Sequence, residues 1–230
     1  MSSIRKVDAG QALEWFKDGW KTFAIDKMDW VVMTLILGLI ILALAFIPWL
    51  GMLLISLLLP IFQAGLLHAA RKADKGVMVE IGDLFFAMNH AEKRTPLLIL
   101  GLVLLVLSVI VGLVMGTSSL STVTTSTPGS YSDLSTLGSG NLIIGMLIFV
   151  FMNMLFFFAP ALVLFKNMPP IEAVKNSFVG SLQNMGAFLL FMLIYLVLSF
   201  IAAIPFGLGF LILFPVVMGA AYSAYKNIFT

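Results

Sequence analysis

The chain contains no cysteine, so disulfides, thiolate metal ligands and thiol nucleophiles are all excluded. It is also short of charge. Only 10% of its 230 residues are Asp, Glu, Lys or Arg, against about 25% in an ordinary soluble domain. A water-facing surface built from so few charges would aggregate, which points to lipid as the solvent for most of the chain. No Gly-x-x-x-x-Gly-Lys, Gly-x-Ser-x-Gly or His-Glu-x-x-His motif is present, so the common phosphate-binding, serine-hydrolase and zinc-protease signatures are missing. The first 29 residues mix acids and bases with no early apolar core, which does not fit a cleavable signal peptide.

Apolar residues dominate instead, at 61% of the chain with a mean hydropathy of +1.10. A hydrocarbon core of ~30 Å is crossed by about 20 helical residues. Six stretches qualify: roughly 30–47, 50–70, 96–116, 142–165, 186–204 and 208–224. The first and second are separated only by an Ile47-Pro48 turn, and the fifth and sixth by Ile204-Pro205, which predicts tight helical hairpins. Trp49 suits an interfacial aromatic position.

Basic residues orient the spans. With the N-terminus inside, the cytoplasmic segments are 1–29, 71–95, 166–185 and 225–230, and all 13 Lys and Arg residues fall in them. Segment 71–95 carries five basic residues, whereas 117–141, of equal length, carries none. This is the positive-inside pattern, with both termini cytoplasmic. It also accounts for the sequence pI of about 8.9 without a nucleic-acid partner, because the bases lie in short membrane-flanking loops among acids. Segment 117–141 is mostly Ser, Thr and Gly, the composition of a flexible extracytoplasmic loop.

The chain repeats itself. Glu14-Trp15-Phe16-Lys17-Asp18-Gly19-Trp20 aligns with Glu172-Ala173-Val174-Lys175-Asn176-Ser177-Phe178, the Ile-Pro turns follow in both, and Pro60–Arg71 then matches Pro215–Lys226 without a gap. The units are A (10–75) and B (169–230), flanking a middle hairpin (80–165) within one membrane domain of 1–230. Each opens with an amphipathic segment expected to lie on the cytoplasmic surface: Leu13, Phe16, Trp20 and Phe23 on one face of the first, with Trp15 beside them, and Ile171, Val174, Phe178 and Leu182 on the second. A third such segment, with Asp83 as its N-cap, precedes the middle hairpin. Both units start inside, so they are parallel repeats about an axis along the membrane normal.

No ionisable Asp, Glu, Lys or Arg falls within a span, unlike the usual proton-coupled transporter or pump. The candidate helix-packing or ligand-contacting residues are therefore Asn153, Gln63, His68, Pro60, Pro160 and Pro215. Buried amides seek partners on neighbouring helices, and prolines kink spans. His68 lies three residues before the interfacial Arg71 without a second ligand nearby, so it reads as hydrogen-bonded or snorkelling, and no metal or cofactor is expected. His90 falls in a charged loop. Gly112/Gly116, Gly65/Ala69 and Ala220/Ala224 are small-x-x-x-small pairs suited to close helix contact. The 14 methionines are scattered, which favours core filling.

The stretch Phe158-Ala159-Pro160-Ala161-Leu162-Val163-Leu164-Phe165, followed by Pro169-Pro170-Ile171-Glu172-Ala173-Val174-Lys175-Asn176-Ser177-Phe178, resembles the uncharacterised bacterial six-helix inner-membrane proteins. It is similar at greater distance to YciC-type proteins and to the membrane domain attached to some glycerophosphodiester phosphodiesterases. The resemblance implies a bacterial cytoplasmic membrane and no assigned activity. The expected fold is an all-α polytopic bundle, six transmembrane helices as three hairpins with interfacial helices and a parallel repeat. The expected role is non-enzymatic: a scaffold, assembly or lipid-interacting factor, with membrane lipids and a second copy or another membrane complex as partners. The alternative is a carrier or channel for an uncharged or amphipathic molecule between the two units.

Overall fold

The computed structural model of the chain describes residues 4–47, 50–124 and 134–230, the side chains of 114–143 excepted. Every element in it is helical: α1 (Gln11–Ile25), α2 (Lys27–Ala45), α3 (Leu50–Asp74), a 3-10 turn (Ile81–Phe85) running into α4 (Phe86–Asn89), α5 (Ala91–Thr124), α6 (Leu134–Phe156), α7 (Ala159–Lys166), α8 (Pro170–Gln183), α9 (Met185–Ala203) and α10 (Phe210–Phe229). Six helical segments are long and apolar enough to cross a membrane, and each overlaps one of the six stretches expected from hydropathy.

The spans divide into two kinds. In α3, in the segment Ile144–Lys166 and in α10, 44%, 44% and 67% of the apolar window is buried by protein, whereas the figures for α2, α5 and α9 are 17%, 17% and 22%. The first three therefore form the centre, and the second three offer most of their surface outward. Leu39, Leu42, Leu102, Val106, Leu193 and Leu196 are exposed on them, which a lipid environment tolerates and water does not.

The short helices are seated on the central ones through small residues. Helix α1 lies along α10. A Cβ on Gly19 would stand 2.2 Å from the Val216 carbonyl oxygen, so only glycine permits this approach. The 3-10 turn sits on α3 in the same way, with Leu84 O 2.2 Å from the Cβ position of Gly65. Helix α8 packs on α6 and α7. The N-terminal segment is pinned beside it, since Asn184 accepts from Val7 N at 2.8 Å and donates to the Arg5 carbonyl at 3.1 Å.

Several expectations need correction. The buried face of α1 is Ala12, Trp15, Phe16, Gly19, Thr22 and Phe23, while Leu13 and Trp20 are exposed. That of α8 is Ala173, Val174, Ser177, Gly180 and Ser181, with Ile171 and Leu182 exposed. In both helices the real seat is rotated by roughly a quarter turn from the most apolar stripe, because close packing selects small residues. Asp83 is not an N-cap. Glu80 is, and Asp83 reaches back to the Glu80 backbone N–H at 2.9 Å. The expected loop over 117–141 is shorter, for α5 persists to Thr124 and α6 begins at Leu134. Ser and Thr hydroxyls can bond the i−4 carbonyl, so such a composition does not by itself end a helix. The remainder of that loop, 125–133, lies outside the described residues, as do Trp49 and the side-chain environment of Gly116. Gly112 has no atom within 4 Å of its Cβ position among the described residues, so it makes no close helix contact with them. Gly101 does so instead, against Leu57 O of α3 at 2.3 Å.

Candidate functional site

Proline shapes the centre of the bundle. Pro160 has no N–H to continue a helix, and the chain breaks at Phe157–Phe158 between α6 and α7. A break there strands backbone polar groups in apolar surroundings. They are recovered locally: Phe157 N donates to Asn153 O at 2.8 Å, and Phe158 N donates to the Ser177 hydroxyl of α8 at 3.0 Å. Ser177 is fully buried and its hydroxyl in turn donates a hydrogen bond to Met154 O at 2.9 Å. Pro60 and Pro215 sit buried inside α3 and α10, which continue through them.

Around these prolines lies a cleft of about 470 Å³. Leu59, Pro60, Gln63 and Leu67 of α3 form one wall, and Phe214, Val217, Met218 and Ala221 of α10 another. Phe149, Met152, Asn153 and Phe156 of α6 face Phe191, Met192 and Tyr195 of α9, with Pro160 at the floor. Helix α6 rests on α5, α7 and α8, and its lining residue Phe149 is exposed, so the cleft reaches the surface there. No Asp, Glu, Lys, Arg or His lines the cleft among the described residues. Its polarity comes from three side chains. Asn153 Nδ2 donates to Phe149 O at 2.8 Å, and its carbonyl oxygen makes no hydrogen bond among the described residues. The Gln63 amide and the Tyr195 hydroxyl, both lining the cleft, make no hydrogen bond to protein among the described residues. Such a site can grip an uncharged polar group but offers no acid, base or nucleophile of ordinary strength for group transfer.

Of the expected candidates, the structure thus brings Pro60, Gln63, Asn153 and Pro160 together in one place. Pro215 is in the core one residue from the cleft wall, and His68 lies one position beyond it. His68 stacks on Phe86 with ring centroids 3.7 Å apart, and its Nε2 lies 3.8 Å from Asp83. Lys72 completes this cluster at 2.9 Å from the same carboxylate. His90 is exposed and lies against the other side of Phe86, with Nδ1 2.8 Å from Phe86 O. No group of three or more His, Asp or Glu that could hold a metal occurs among the described residues.

At the same end of the bundle three cations link the central helices in a ring. The Arg71 guanidinium stands 5.2 Å over the Phe165 ring, Lys166 donates to the Phe229 carbonyl, and Lys226 contacts Asp74 at 2.9 Å. Each central helix therefore grips the next at its final turn. On the surface of α1, Trp15, Phe16 and Phe23 are buried, with Phe16 4.7 Å from Phe191, and Trp20 points outward. There, too, the Asp18 hydrogen bond holds the Lys21 ammonium above its ordinary pKa. In α8, Val174 is buried and Phe178 is half-buried edge-on to Phe151.

Tyr195, which lines the cleft, and Ser177, which bonds the helix break, go unmarked by hydropathy. A tyrosine amid a hydrophobic run and a serine in an amphipathic helix carry no local signal. Only the arrangement of α9 and α8 around α6 assigns them. Comparison with family models, with curated proteins and with solved structures returned no match.

Proposed function

We propose that this chain is a non-enzymatic, multi-pass protein of the bacterial inner membrane that acts as a lipid-interacting factor, with both termini and the cation ring on the cytoplasmic side. The observation that carries the reading is the cleft: apolar, without a formal charge, open to one side and placed near the middle of the spans. A water-soluble, charged solute would find no counter-charge there, whereas a neutral lipid enters sideways from the bilayer. The bacterial location rests on the resemblance to six-helix inner-membrane proteins, and the orientation on the distribution of Lys and Arg.

The parallel repeat supports a symmetric frame for this cleft. With Glu14 set against Glu172, the buried Trp15, Phe16, Gly19, Thr22 and Phe23 fall opposite the buried Ala173, Val174, Ser177, Gly180 and Ser181. With Pro60 set against Pro215, every buried position of α3 from Pro60 to Ala73 has a buried counterpart in α10. The middle hairpin takes the same role, its 3-10 turn seated on α3 as α1 is seated on α10. In this frame the exposed Leu13 and Trp20, and Ile171 and Leu182, form outward apolar faces suited to the headgroup layer. The second reading, a carrier for an uncharged or amphipathic molecule, is favoured by the placement of the cleft between α3 and α10, the central helices of the two units.

Purification in mild detergent with native mass spectrometry tests the proposal. The expected result is a lipid retained in stoichiometric amount, alone or with a membrane partner. Recovery of a water-soluble solute in the cleft, with lipid at background level, refutes it.

A further inference from the structure

We propose that the cleft receives the head group of an isoprenoid quinone, with the prenyl tail leaving past the exposed Phe149. This deepens the lipid-interacting reading and rests on it. Depth is the first argument. Gln63 lies eight residues before Arg71 and Tyr195 eleven after Asn184, which places them about 12 and 16 Å from the basic end of the bundle, near the middle of a ~30 Å core. Phospholipid headgroups and ionised fatty acids stay at the interface and need cations, and the cleft has none.

Size is the second. A volume of about 470 Å³ lies in the range of small-molecule sites. That has room for a substituted quinone ring with its first prenyl carbons. Chemistry is the third. A quinone carries two carbonyl acceptors on opposite edges of a flat ring. Gln63 on α3 and Tyr195 on α9 are donors on different walls, both without a protein acceptor among the described residues. Phe156, Phe191 and Phe214 supply aromatic surface, and Met152, Met192 and Met218 supply the sulfur contacts that ring edges favour.

The test is titration of the purified full chain with ubiquinone-2, read by native mass spectrometry. A saturable one-to-one adduct is expected. Gln63→Leu and the near-isosteric Tyr195→Phe should each raise the apparent Kd about five-fold, and the double variant about twenty-five-fold. Leu193→Ala, on the exposed side of α9, should leave it unchanged, with all variants melting as the parent chain does. Absence of a saturable adduct, or unchanged binding in the double variant, overturns the quinone assignment. Dioleoylglycerol is the second probe. If it binds one-to-one and displaces the quinone, the quinone assignment fails while the lipid-interacting reading stands. If neither probe nor any co-purified lipid binds, both fail.

Discussion

Ser177→Ala isolates the one hydroxyl on which the broken helix depends. Ser177 is fully buried, accepts from Phe158 N at 3.0 Å and donates to Met154 O at 2.9 Å. Alanine keeps the fit of α8 on α6 and leaves both backbone groups without their partner. An unsatisfied buried group costs about 1–3 kcal/mol. Ser181 Oγ, 3.4 Å from the same Met154 carbonyl, can take over that acceptor, so the loss is set mainly by the Phe158 N–H. Hydrogen bonds inside membrane proteins run lower, averaging about 0.6 and reaching about 1.7 kcal/mol. We therefore expect Ser177→Ala to destabilise the fold by ~1–2 kcal/mol, Ser181→Ala by less than half of that, and the double variant by more than the sum. Reversible unfolding by SDS titration in mixed micelles, followed by tryptophan fluorescence, measures all three. A Ser177→Ala variant as stable as the parent, or a Ser181→Ala variant that is worse, refutes the reasoning, since the break would then be satisfied by something other than this hydroxyl.

Gly19→Ala should lift α1 from α10, because its Cβ would stand 2.2 Å from a backbone oxygen. Overpacking of that kind costs about 1–3 kcal/mol, visible as a lowered melting temperature. Asp83→Ala removes the acceptor of Glu80 N and the partner of the largely buried Lys72. A loss of ~1–3 kcal/mol is expected, partly recovered by adding Lys72→Met, which removes a cation left with only the exposed Glu80 at 3.7 Å. A double-mutant cycle on Lys226 and Asp74, whose side chains are half and one-third exposed, should give a coupling of about 0.2–1 kcal/mol that shrinks as salt is raised.

The spans are legible in the sequence because lipid demands a long apolar run and the chain has few charges to interrupt one. Pro60, Gln63, Asn153 and Pro160 are legible as exceptions within such runs, and the structure gathers them in one cleft. What a single sequence hides is which side of a helix another helix selects. The most apolar stripe of α1 includes Leu13 and Trp20, yet the face that packs is centred on Gly19, since backbone contact with α10 requires a missing side chain more than a large one. The same logic hides Gly101, which makes the contact that the Gly112 pair suggested. It hides Ser177 too, whose value exists only because the helix opens at Phe158, 19 residues away. Tyr195 becomes a site residue only because α9 shares the cleft with α3, α6 and α10, a tertiary fact with no local trace.

The central claim is that six helices cross the bilayer with their basic ends in one compartment. Because the chain has no cysteine, single substitutions report cleanly on it. Lys75→Cys and Ser126→Cys, probed in intact cells with a membrane-impermeant maleimide, give the most direct measurement. The account predicts that Ser126→Cys is labelled from outside and Lys75→Cys only after the membrane is permeabilised. Labelling of both positions from the same side contradicts it.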